Sequence, residues 1–136
     1  MIQRVIGTYS FGFEDCQLVL RNGTGGEFYN CPGRGEVPRI KIGADEKEWK
    51  DVVGVLLHEA MEFSMNRLGC RYEDSYDLGR DMSAYLFVMR HQTFSDCCAR
   101  AGDFVSSCLP DLSAAWSKWR RPRQPKNRKR RKPCKK

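Results

Sequence analysis

At 136 residues, 40% of them hydrophobic, the chain reads as one domain long enough to bury its own core. Its formal charge of +7 is unevenly spread: residues 118–136 hold 12 Lys/Arg and no acid, while the other 117 residues carry 12 basic and 17 acidic side chains, a net of −5. No apolar run approaches the roughly 18 residues of a membrane-spanning helix, so no membrane partner is expected.

The opening stretch MIQRVIGTYSFGFED has no basic segment leading into an apolar one, so it does not read as a secretory signal. Residues 2–9 and 16–21 read as two short strands. Between them and a third strand over 27–31 lies Asn22-Gly23-Thr24-Gly25-Gly26, rich in residues that tolerate positive φ. It lacks the spacing of a phosphate loop. Residues 38–43 alternate apolar and polar and predict a half-buried or edge strand.

A helix is predicted over 46–68, with Asp45 as N-cap, acidic residues in the first turn and Gly69 just past the end. At about 100° per residue, Val52, Val53, Leu56, Leu57, Ala60 and Phe63 fall within roughly 80° of Trp49 and form the core stripe. His58 and Glu62 fall on the opposite side, at about 180° and about 220°, and Glu59, at about 280°, is read with them as part of the polar face. Residues 70–83 read as a polar loop and 85–89 as a strand, with helix as its rival. Ser95 is the expected cap of a helix to about Leu109, on which Cys97, Cys98 and Cys108 share the apolar stripe. Pro110 is expected to stop it, and a short helix over 111–119 packs Trp116 and Trp119 inward. From residue 120 the chain has no apolar content to fold around and is expected to be disordered alone. These elements predict an α+β fold: a small antiparallel sheet packed on the long 46–68 helix and a second C-terminal helix, a single domain over 1–119 followed by a polybasic tail.

The seven cysteines are irregularly spaced and form no C-x-x-C, so they read as reduced thiols of a cytoplasmic protein, not a zinc cluster. The sharpest motif is His58-Glu59-Ala60-Met61-Glu62. Positions i and i+4 lie one helical turn apart, so His58 and Glu62 can aim an imidazole and a carboxylate at one point. This is the layout of the H-E-x-x-H zinc helix with Glu in place of the second His. A hydrolytic zinc site needs three protein ligands, an open position for water and a base. His58 and Glu62 supply two ligands and Glu59 the base. The third is expected from His91, the only other histidine, with Asp74, Asp77 or Asp81 as substitutes. The competing reading is an ordinary solvated helix face.

The stretch 38–116, with IKIG, LLHEAMEF, LFVMRHQTFSD and LPDLSAAW, resembles a group of small uncharacterised proteins from bacteriophages and prophages. The 52–63 helix also resembles the active-site helix of zincin metallopeptidases, which likewise follows a strand, and departs from it at Glu62. The first likeness implies a bacterial host cytoplasm. The second implies a Zn²⁺-dependent, peptidase-like hydrolase.

The tail is the second strong signal. Arg120, Arg121, Arg123, Lys126, Arg128, Lys129, Arg130, Arg131 and Lys132 place cations along an extended segment. Such arms neutralise phosphates and release counterions, which predicts salt-sensitive binding to DNA or RNA. Two readings follow: a zincin-like hydrolase localised by a nucleic-acid-binding tail, or a non-enzymatic accessory protein that binds nucleic acid or a host protein.

Overall fold

The computed structural model describes residues 2–30, 35–73, 85–87 and 89–121. It shows the expected α+β class. β1 (Gln3–Phe11) and β2 (Glu14–Arg21) form an antiparallel hairpin, and β3 (Gly26–Tyr29) and β4 (Arg39–Gly43) complete a sheet of order β1-β2-β4-β3. β4 pairs antiparallel with β3 but parallel with β2, so the sheet is mixed and not the antiparallel one expected.

The 22–25 loop is the cause. It leaves β2, passes the end of β4 and delivers the chain to the outer edge, so that β4 returns between β2 and β3. At the crossing a Cβ on Gly43 would lie 2.4 Å from the Gly23 carbonyl oxygen and 2.6 Å from the Thr24 Cα, so only glycine admits the passage. The Asp45 and Glu46 carboxylates accept hydrogen bonds from the Gly23 and Gly25 amides at 2.5 and 2.6 Å. Asp45 is therefore occupied in the loop and does not cap the helix. Glu48 does, in a reciprocal capping box with Asp51.

α1 (Trp49–Arg67) and α2 (His91–Arg120) cover one face of this sheet. The inward residues Leu18, Leu20, Ile40 and Ile42 are fully buried with Val52, Leu56, Phe63, Phe104 and Leu112. The Phe11 ring stands 4.8 Å from that of Phe63 and 5.0 Å from that of Phe104, joining the hairpin to both helices. The helices run antiparallel. Trp49 meets Trp116 at 5.4 Å between ring centroids at one end, and Ser64 lies beside Cys97 towards the other.

Several boundaries differ from the reading of the sequence. α2 is one 30-residue helix that continues through Pro110, so the longest helix is the C-terminal one. Proline removes one backbone donor and costs about 3 kcal/mol in a helix interior. Here Cys108, Leu112 and Ala115 hold the helix to the core on both sides of it, while Pro110 itself faces solvent. The helix begins at His91 with Arg90 as its cap residue, and Ser95 lies inside the first turns, its hydroxyl donating to the His91 carbonyl at 3.1 Å. Residues 71–73 are strand, not loop: β5 (Arg71–Glu73) pairs antiparallel with β6 (Tyr85–Phe87) in a separate two-stranded sheet. Residues 31–34, at the end of the expected third strand, and most of the expected 70–83 loop lie outside the described residues. Among the described residues, no helix is long and apolar enough to cross a membrane.

Candidate functional site

The α1 motif is built as its spacing requires. His58 Nε2 and Glu62 Oε1 meet at 3.2 Å one turn apart, with the His58 side chain 65% exposed. Glu59 is placed differently from expectation. It is 7% exposed, while Leu57, expected in the core stripe, is 47% exposed. The buried face of α1 is thus rotated towards Glu59, because β3 lies against that flank. A Cβ on Gly26 would stand 2.5 Å from Glu59 Cγ and 2.7 Å from Val55 Cγ1. Glu59 lies in a helix–strand interface, not on the open polar face where a base for an attacking water was expected.

His91 does not join the pair. Ser64 and Cys97 mark one level of the antiparallel helices. His58 precedes Ser64 by about 9 Å of helix, and His91 precedes Cys97 by about as much in the opposite direction, given a rise of 1.5 Å per residue. The two histidines are therefore separated by about 18 Å along the helix axes. Among the described residues, no three His, Cys, Asp or Glu side chains are grouped as metal ligands. The donors on these elements do not fit a three-ligand zinc site. Asp74, Asp77 and Asp81 lie outside the described residues.

The cysteines divide by burial. Cys16 and Cys108 are fully buried, and burial pushes each thiol up to about 12. Burial also raises Cys97, which sits beside Ser64, Cys70 and Cys98. Protonated thiols are poor nucleophiles and poor ligands, which suits the expected role of Cys97 and Cys108 as small core residues. Cys98 departs from that expectation: it is exposed, about 90° around the helix from the centre of the buried stripe. The glycine-rich loop offers no free anion seat at the amides of Gly23 and Gly25, which the carboxylates of Asp45 and Glu46 already hold.

The basic end is anchored. Trp116 Nε1 donates to the Ala44 carbonyl at 3.1 Å, and the Arg120 guanidinium lies 4.9 Å from the Trp116 ring centroid. Arg120 Nη1 also donates to the Lys47 carbonyl at 2.8 Å. Of the cations expected to meet phosphate, Arg120 thus clasps the end of α2 to the segment before α1. Trp116 and Trp119 both pack against the core, as their spacing predicted. Arg121 is exposed, and Arg123, Lys126, Arg128, Lys129, Arg130, Arg131 and Lys132 lie outside the described residues. A cation the sequence did not single out, Arg4, shares a hollow with Lys118 and Arg121. Arg4 and Lys118 come from opposite ends of the chain, so no local motif could join them. Comparison with protein-family models, curated proteins and solved structures gives no match.

Proposed function

We propose that this chain is a non-enzymatic nucleic-acid-binding accessory protein whose polybasic tail grips phosphates from a fixed root on the folded domain. The observation that carries this reading is the anchored end of α2. The Trp116–Ala44 and Arg120–Lys47 hydrogen bonds tie the last helical turn to the domain, and the run of cations starts there. A basic arm on a fixed root contacts successive phosphates by counterion release, without needing base-specific readout. The likeness to phage and prophage proteins would set this activity in a bacterial cytoplasm.

The test is a binding titration of labelled DNA and RNA oligonucleotides over a series of salt concentrations. The chain is compared with a variant whose lysines and arginines at 123–132 are glutamine. The expected result is an affinity that falls linearly on a log–log salt plot, with a slope shallower by roughly 0.7–0.9 for each phosphate that the variant leaves unneutralised. Equal affinity and slope for both chains would refute the reading.

A zinc-dependent, zincin-like hydrolase is the second reading, favoured by the His58–Glu62 pair. It requires its third ligand from Asp74, Asp77 or Asp81 in place of His91. Metal analysis decides it: about one zinc per chain, lost in His58→Ala and retained in His91→Ala, is the expected result. Protein purified from zinc-supplied cells with no bound zinc would end this reading.

A further inference from the structure

The hollow shared by Arg4, Lys118 and Arg121 lies between the start of β1 and the last turn of α2, with Ile2 and Trp119 completing its lining. A second hollow adjoins it, sharing Arg4 and Lys118 and reaching Asp111. The three cations differ from four others of the folded domain that are ion-paired. Arg21 and Lys41 face Glu27, Lys50 pairs with Glu48, and Arg67 pairs with Glu14. The side chains of Arg4, Lys118 and Arg121 have no ion pair or hydrogen bond among the described residues. Asp111, which also lines the second hollow, accepts the Tyr9 hydroxyl at 2.8 Å. Like charges brought together without a counterion repel one another, and an anion between them relieves that repulsion.

The apolar lining narrows the ligand. Ile2 is 54% exposed, and Trp119 is half-buried, its remaining surface open to the same hollow that holds the cations. A cationic rim beside an aromatic wall suits a phosphate with a base attached, the combination that single-strand-binding surfaces use. The hollow holds about 380 Å³, within the size range of a pocket for one small ligand.

We propose that this groove is a nucleotide seat in the folded domain: Arg4, Lys118 and Arg121 hold a backbone phosphate of single-stranded nucleic acid and Trp119 contacts its base. This deepens the tail reading and rests on it for the identity of the polymer, because the basic tail begins at the rim of the groove. Strand gripped by the tail is thereby led onto a rigid surface that fixes one nucleotide.

The experiment uses the full-length chain carrying the glutamine-substituted tail, so that binding reports the groove. Probes are labelled oligo(dT) and oligo(U), a DNA duplex of matched length, and vesicles of phosphatidylserine and phosphatidylcholine. Single strands are expected to bind with a log–log salt slope near −0.7, the value for about one phosphate contact. Arg4→Gln is expected to weaken binding several-fold and to make that slope shallower, and Lys118→Gln to do the same. Both side chains are exposed and unpaired, so an unchanged melting curve accompanies the weaker binding. Single-strand binding unaffected by both substitutions overturns the seat, as does duplex or vesicle binding as tight as single-strand binding. The two readings fail separately: the tail reading fails if glutamines at 123–132 change nothing, and the seat fails if Arg4 and Lys118 change nothing.

Discussion

Glu59 and Leu57 sit about 80° to either side of Trp49 at about 100° per residue, so helical periodicity alone does not separate them. Residue type puts Leu57 inside and Glu59 out, yet Leu57 is 47% exposed and Glu59 only 7%. The deciding residue is Gly26, remote in sequence, whose missing side chain lets β3 close on the Glu59 stem. Gly26→Ala therefore forces a Cβ into Glu59 and Val55 and is expected to cost about 1–3 kcal/mol, the usual range for overpacking, read as a lower denaturant midpoint at unchanged m. His58→Gln is expected to stay within about 0.5 kcal/mol of the parent, because the His58–Glu62 pair is mostly exposed on the His58 side. A midpoint shift for His58→Gln as large as that for Gly26→Ala would show that the pair is structural. The i,i+4 contact was legible in the sequence because helix geometry alone fixes it. The burial of Glu59 was not, because it depends on which strand covers which flank.

Among the elements, α2 shows how a local rule yields to packing. Period-3.6 apolar positions lie on both sides of Pro110, and Cys108, Leu112 and Ala115 form one continuous buried stripe. The proline rule predicts a break there, but each flanking half is already held against the same core. Pro110→Ala restores an N–H able to donate to the Ser106 carbonyl and relieves the ring clash, so it is expected to raise stability by about 1–3 kcal/mol, measured by urea unfolding. A destabilised variant would show that the proline bends the helix into register with the sheet. Apart from β5, read as loop, the other elements were legible to within a few residues, since alternation and turn residues mark most strands. The sheet's mixed order was not, because alternation reads the same for parallel and antiparallel neighbours. What sets it is the passage of the 22–25 loop over Gly43, a contact between segments far apart in the chain. The charge of the tail was legible in the same way as a strand, and Arg4 beside Lys118 was hidden for the same reason as the loop crossing.

At the scale of the whole molecule, hairpin, β4 and both helices share one core, so groups on different elements should titrate against a single unfolding equilibrium. Cys16 on β2 and Cys108 on α2 are both subject to that coupling: each is buried, and each thiol is held up to about 12 from an ordinary value of 9.0. Below about pH 8.5 the thiols are protonated in both states, and the stability linked to them is fully present. Above that pH the unfolded chain releases protons that the folded chain keeps, so stability falls as pH rises, by up to about 1.4 kcal/mol per pH unit for each thiol. Urea midpoints measured at pH 7, 9 and 10 are therefore expected to be level at first and then to drop steeply. Cys16→Ala and Cys108→Ala are each expected to flatten that drop, whatever either does to the midpoint at pH 7. A parent midpoint that stays level to pH 10 would mean that the two thiols ionise in the folded state, and hence that water reaches the centre of the shared core. A steep drop that neither substitution flattens would assign the alkaline loss to other groups. Tyr9, whose hydroxyl burial and Asp111 also push up, begins to contribute within about a unit of its ordinary value of 10.0, so up to pH 10 its share stays smaller than that of the thiols.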